Sequence, residues 1–367
     1  MGLIAGPVPA RVDGDVKAGL LELVDHAVDH GWSSRRACRL LGLEHGRHAA
    51  WTARRAAGRL EDLPPGGNPM HGILNSERAA IITLFEQWGQ IDRSHRKLAH
   101  RGSRLGLVHV SESTLLRVLA AEGYVLPGQP PREPRPRASW PDWLEWKPNR
   151  VWGYDFTHFT RAGRCAVAIM DIVSRKWLGT VVSAEESSVQ VEVAFTAALA
   201  AEGLWQAADD RATEALVAAL ASGDRDAIDT AIGDGQLPLL LAISDNGAQM
   251  RSHSTREFLA GVAIAQQFGR PGTPTDQAWI ESLFGHVKTE WPHLEKIIHP
   301  GELVTELELV RPDYNTIRLH AGIGYVTPND EHEGRGEAIR QKRRDGLAQA
   351  REHRIAYRRT TTSEENQ

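Results

Sequence analysis

Val151-Trp152-Gly153-Tyr154-Asp155-Phe156-Thr157 is an aromatic and β-branched run broken by one carboxylate. It opens a series: residues 151–160, 165–173 and 176–183 read as three consecutive strands, with Gly163 and Ser174 at the turns between them. Working outward, 187–201 reads as a helix and 237–244 as a continuous apolar strand suited to the middle of a covered sheet. Residues 254–261 read as a helix, 262–268 as a strand, and 276–291 and 302–318 as helices.

Three antiparallel strands followed by alternating helices and strands is the order of a ribonuclease H-like α/β core, a mixed five-stranded sheet with helices. It is assigned to 149–330, with an Ala-rich acidic insertion at 204–235 that reads as two helices around Ser222-Gly223. That insertion would repel DNA, so it should sit away from a DNA channel or contact another protein.

Three acids stand out against this frame. Asp155 closes the first strand run, Asp245 ends the apolar run before the tight turn Asn246-Gly247, and Glu281 starts a helix, with thirty-five residues between the last two. Carboxylates at two strand ends and one helix suit hard divalent cations such as Mg²⁺ or Mn²⁺, which take oxygen ligands. A pair of such ions activates water or a hydroxyl against a phosphodiester. Asp171 competes with Asp155 for the first position. Lys288, two turns after Glu281, and His286 are placed to meet DNA phosphates. Asp276 reads as a cap of the Glu281 helix, and Tyr314, Asn315, Arg318 and His320 as braces of the last helix against the sheet.

The segments before the core are helical. Residues 16–59 read as three short helices with Leu20, Leu21, Leu23, Val24, Val28, Leu40 and Leu41 on inward faces, a Gly42 turn, and a basic last helix bearing Arg47, Arg54 and Arg55. This is helix-turn-helix spacing. A second trio spans 76–122, with Arg96 and Lys97 on its short basic middle helix. The expected domains are therefore 1–66, a helix-turn-helix unit; 67–126, a second such unit; and 127–148, a Pro/Arg-rich linker in which Arg135 and Arg137 lie along a phosphate backbone. The core follows, then a basic tail, 331–367, read as a helix with a frayed end.

Net charge is −4, yet residues 11–140 carry 19 Lys+Arg against 14 Asp+Glu, while 185–234 carry 2 against 11. The acidic block masks a basic amino-terminal half, a balance compatible with DNA binding there. Cys38 and Cys165 are far apart with no Cys-x-x-Cys, which argues against a cysteine-based zinc site and for two reduced thiols in a cytoplasmic, nucleoid-associated protein. No window is apolar enough for a membrane span, and residues 1–10 lack the basic start and the length of a signal peptide.

Trp152-Gly153-Tyr154-Asp155-Phe156-Thr157, Met170-Asp171-Ile172-Val173-Ser174-Arg175-Lys176, Ser244-Asp245-Asn246-Gly247, Glu281-Ser282-Leu283-Phe284 with Lys288, and Tyr314-Asn315 with Arg318, His320, Gly324-Tyr325 and Thr327-Pro328 carry a resemblance. Together they resemble the integrase-core DDE transposases of bacterial insertion sequences, relatives of retroviral integrases. The resemblance implies that Asp155, Asp245 and Glu281 are metal-binding catalytic carboxylates and that Lys288 is the family's basic residue after the glutamate. It implies that Asp171 belongs to a structural strand-turn. It also implies terminal-repeat and target duplex DNA as partners, a homo-oligomer on DNA, and strand cleavage followed by strand transfer. The sequence departs from the family pattern at Gln277, where Asn is usual, in the long insertion, and in lacking the zinc-binding domain of retroviral integrases. Two alternatives stay open: a catalytically silent DNA-binding regulator or targeting partner with this fold, and a ribonuclease H-like nuclease.

Overall fold

A computed structural model describes residues 7–62, 69–124, 140–269 and 278–365. Arg135, Arg137, most of the proline-rich linker and Asp276 lie outside the described residues. The backbone divides into two compact units, 1–72 and 73–367.

The first unit is built from α1 (Gly14–Asp29), α2 (Ser34–Leu40) and α3 (His45–Ala56). Asp13 accepts the N–H of Val16 and Ser33 that of Arg36, so both helix starts are capped. Leu21, Val24, Ala37, Cys38, Leu43 and Trp51 form the core. The expected inward positions of Leu23, Val28 and Leu40 are corrected: all three are exposed. Leu23 and Leu40 each lie about 200° round the helix from a buried residue two places earlier, Leu21 and Cys38.

The second unit begins with α4 (Asn75–Trp88), α5 (His95–Arg104) and α6 (Glu112–Ala121), packed around Ile81, Leu84, Leu98, Leu115 and Leu119. The sheet follows: β1 (Val151–Phe159), β2 (Arg164–Asp171) and β3 (Trp177–Ser183), then α7 (Ser188–Ala201). The insertion holds three helices: α8 (Trp205–Arg211) joins the expected pair α9 (Glu214–Ser222) and α10 (Arg225–Gly233). Then come β4 (Leu240–Ser244), α11 (His253–Gly261), β5 (Ile264–Phe268), α12 (Ala278–Glu290), α13 (Pro300–Thr316), α14 (Pro328–His332) and α15 (Gly336–Glu365).

Strand order is β3-β2-β1-β4-β5. The first three strands pair antiparallel, and β4 and β5 run parallel to β1. This is the ribonuclease H-like arrangement. Trp152, Tyr154 and Phe156 point to one face, into a core with Val191, Phe195 and Leu259 from α7 and α11. The insertion adds Leu216, Ala219 and Leu220 to that core, so α9 packs on this face. Ala166, Ala168 and Met170 of β2 point to the other face, against Ile280, Leu283 and Val287 of α12 and Leu307, Val310 and Tyr314 of α13.

The basic tail is not a loose solvated end. Among its described residues, α15 lies along the α4–α6 trio: Arg343 donates to the Ala99 carbonyl at 2.9 Å, and Arg354 binds Glu77 at 2.8 Å and the His109 carbonyl at 2.7 Å. Gly346 permits this approach, because a Cβ there would fall 2.1 Å from His109 Cδ2. The trio is tied in turn to the end of α13, where buried Arg101 binds Asp92 at 2.7 Å and the Ile317 carbonyl at 2.6 Å.

Candidate active site

Register brings the first two acids side by side. Val151, Trp152 and Gly153 pair with Leu241, Ala242 and Ile243 in parallel β1 and β4. Continuing that register by two residues places Asp155 beside Asp245, immediately past the end of β4. Side chains alternate along a strand, so Asp155 shares its face with Gly153. A Cβ on Gly153 would lie 3.9 Å from Cβ of Ile280, so this is the face on which α12 sits, and Glu281 is the residue after Ile280.

Asp155 feels the charges of the other two acids. Burial pushes the Asp155 carboxyl up to about 7; the Phe156 N–H lowers it, and the charges of Asp245, Glu281 and Glu186 raise it further. Asp155 Oδ1 accepts the Phe156 N–H at 2.8 Å, and Asp245 Oδ1 accepts that of Gly247 at 2.9 Å. Among the described residues, no three acidic, His or Cys side chains stand at metal-holding spacing. The fit to a divalent cation therefore rests on the donor chemistry: carboxylate oxygens, one of them on a carboxyl raised first by burial and then by neighbouring negative charge.

Glu186 was not foreseen. It follows β3, accepts from Gln249 Nε2 at 2.7 Å and faces His158 Nε2 at 3.2 Å, bridging the turn after β4 to β1. Its signal in the sequence was slight, an acid pair ahead of a helix start. Lys288 shares the Glu281 face of α12; its Nζ donates to the His158 carbonyl at 2.7 Å and pairs with Glu295 at 3.0 Å. His286 lies elsewhere, facing Glu290 at 3.4 Å and edge-on to His320.

Asp171 is fully buried and turned to a different task. Its oxygens accept from the N–H of Asn149 at 2.6 Å, the N–H of Ser174 at 2.6 Å and the Ser174 hydroxyl at 2.7 Å. Asp171→Asn would turn an N–H₂ toward one of these donors. We expect a loss of about 1–3 kcal/mol of stability, read by denaturant melts, with DNA chemistry retained at permissive temperature; loss of chemistry in a fully folded variant would make Asp171 the ligand instead.

The same turn joins a buried polar chain. Ser174 Oγ meets His332 Nδ1 at 2.9 Å, His332 Nε2 meets Glu202 at 2.7 Å, and Lys176 Nζ reaches Glu202 at 2.7 Å. Burial alone would raise the Glu202 carboxyl, but hydrogen bonds from His332, Lys176 and Asn149 more than offset it and hold it at about 2. A depressed carboxyl stabilises the fold fully above its unfolded value, near 4.5, and loses that contribution as pH falls toward 2. The melting temperature should drop over that window, and less steeply in Glu202→Gln, which starts lower; equal acid slopes for the two proteins would count against the network.

The remaining cations expected on DNA are engaged within the protein. Arg47 donates to the carbonyls of Val8 and Pro9 and stacks on Trp51; Arg54 binds Asp62 and Arg55 binds Asp25. Arg96 pairs with Glu112 at 3.6 Å and stays exposed, whereas Lys97 is turned inward to Glu290 at 3.6 Å. Trp140 lies between Trp146 and Trp279, at 5.0 and 5.6 Å between ring centroids.

An integrase core domain family model matches residues 262–328, which include Glu281, Lys288 and the Tyr314–Pro328 block. The chain is 25% identical over 186 residues to the transposase for insertion sequence element IS904 of Lactococcus lactis subsp. lactis (strain IL1403); the match covers 50% of this chain and 61% of that protein. It thus spans less than two thirds of that relative's length. Two solved structures are similar at lower level. A chain of the simian T-cell lymphotropic virus intasome in complex with PP2A regulatory subunit B56 gamma is 17% identical, with TM-score 0.39, over 66% of this chain and 75% of that one. The catalytic core domain of BIV integrase is 18% identical, with TM-score 0.32, over 53% and 98%. The likeness to integrase-core transposases of insertion sequences rests on the family match and the transposase relative; the fold rests on strand order.

Proposed function

We propose that this chain is a DNA transposase that binds the terminal repeats of an insertion sequence, cuts at the element end and joins that end to target DNA. What supports the reading is the register that carries Asp155 toward Asp245, together with the charges of Asp245 and Glu281 felt at Asp155. Kinship with an insertion-sequence transposase supports it.

Asp155, Asp245 and Glu281 would hold one or two Mg²⁺ or Mn²⁺ ions. Such ions, when bound, supply an activated oxygen nucleophile and charge neutralisation at a phosphodiester. The protein does the rest by position. The Asn246-Gly247 turn keeps the Asp245 carboxylate at the strand mouth, Glu186 ties that turn to β1, and half-buried Lys288 offers an ammonium to a phosphate at the rim. Arg96, 61% exposed and loosely paired with Glu112, would meet DNA from the α4–α6 trio. Arg47, Arg54 and Arg55 would reach DNA only by exchanging present partners, so they contribute less to affinity than exposed arginines would.

The test is a strand-transfer assay with Mg²⁺ on duplexes that carry or lack the element's ends, which flanking inverted repeats identify. End-dependent joining supports the proposal. Cutting without regard to ends assigns a nuclease, and end binding with no cutting at all assigns a silent regulator.

A further inference from the structure

The face of α12 that carries Trp279, His286 and Glu290 meets an unusual concentration of positive charge. Arg318 binds Glu290 through Nε at 2.9 Å, Lys97 stands 3.6 Å from the same carboxylate and His286 3.4 Å. Arg175 stacks on Trp279 at 5.6 Å and Arg318 on Tyr314 at 5.3 Å. One carboxylate thus serves Arg318 and Lys97, and among the described residues Arg175 forms no ion pair: the oxygens of its neighbour Asp171 are taken by Asn149 and Ser174.

Within this cluster several buried donors have no hydrogen-bond partner among the described residues: Arg175 Nε and Nη1, Arg318 Nη1 and the Tyr314 hydroxyl. Tyr314 is fully buried and Arg318 is 5% exposed. Buried polar groups are almost always paired, so a group of orphaned donors beside excess positive charge marks a place for an acceptor. His320 adds to it. Its Nδ1 accepts the Gly322 N–H at 3.3 Å, so the neutral ring carries its proton on Nε2 as a donor. Burial, followed by Arg318, Arg175, His286 and Lys97, lowers its pKa to about 2. Exposed Gly322 lies beside the cluster: a Cβ there would stand 3.7 Å from Arg175 Nε.

We infer that Arg175, Arg318 and Tyr314 form a binding site for a phosphate-class oxyanion on this second face of α12. A planar guanidinium fork, a second guanidinium N–H and a hydroxyl suit a tetrahedral anion with several acceptor oxygens. The source is either free phosphate or a nucleic-acid backbone phosphate. The inference does not depend on the carboxylate chemistry of Asp155, Asp245 and Glu281, and its readouts are not strand transfer.

The full chain is melted in rising inorganic phosphate at constant ionic strength, against chloride. A bound anion raises the melting temperature with the logarithm of its concentration. Arg175→Gln should lose that rise. Tyr314→Phe removes a buried hydroxyl that has no partner, so it should melt no lower than wild type without phosphate yet respond less to it. In the second arm, affinity for an end-free duplex is measured against salt; a backbone phosphate in the site predicts a salt slope reduced by about one in Arg175→Gln, and weaker binding with an unchanged slope in Tyr314→Phe. A phosphate response lost in the variants identifies free anion, and a reduced slope without a phosphate response identifies DNA. If neither readout moves in either variant, the site does not exist.

Discussion

Asp155→Asn, Asp245→Asn and Glu281→Gln should each abolish strand transfer, by about three orders of magnitude or more, while leaving element-end binding within about twofold. Each substitution keeps size and removes one negative charge from a site whose proposed work is to hold cations. For Asp155 the change carries a second signature. Its carboxyl is raised to about 7 by burial and by the negative charges of Asp245, Glu281 and Glu186. A neutral amide there relieves that repulsion, so Asp155→Asn should melt no lower than wild type, and higher in the absence of divalent ions. The pair of readouts separates a functional carboxylate from a structural one: activity is lost while stability is kept. Gel-shift binding, melting with and without Mg²⁺, and joining on the same preparations check it. Full joining activity in any of the three variants would sink the assignment, and loss of folding in all three would make the acids structural.

Most of the sheet was legible because its signals are local. The strand runs, the Gly163 and Ser174 turns and the apolar run before Asp245 each declare themselves within a few residues. Adding the parallel register of β1 with β4 then carries Asp155 to Asp245 across an insertion of three helices. The insertion did not obscure this because α9 packs on the opposite face from Asp155. What could not be read was where long polar side chains go. Lys97 and His286 sit in basic, helical sequence that looks DNA-facing, yet both turn to Glu290, a residue distant in sequence from Lys97. The tail reads only as a basic helix, yet Arg343 and Arg354 dock on carbonyls of the α4–α6 trio. Glu186 looked like an ordinary acid before a helix, and only the fold sets it beside Gln249 and His158. Hydrophobic periodicity reports which face is buried; it carries no information on which partner a snorkelling arginine or lysine finds.

Removing Glu290 should cost several kcal/mol of stability, about what a broken buried pair costs. Burial would raise its carboxyl, but His286, Arg318 and Lys97 hold it well below the usual carboxylate range. Arg318 is nearly inaccessible and Lys97 is largely covered, so Glu290→Leu strands two buried cations that pair with no second carboxylate among the described residues. Breaking a buried pair by deleting one partner costs about 3–5 kcal/mol. For a unit of this size that corresponds to a melting temperature lower by about 6–10 °C. A rescue is expected as well. Replacing a buried pair by apolar groups of similar volume is often neutral, so Glu290→Leu with Arg318→Met should recover much of the loss, and adding Lys97→Met should recover more. A triple variant no more stable than Glu290→Leu alone would show that these residues act through shape and not through charge. Because the depressed carboxyl contributes above its unfolded value and loses that contribution as pH falls, the wild type and Glu290→Leu should also converge in stability on acidification below about pH 4. Urea melts at pH 7 and pH 3 measure both effects in one series.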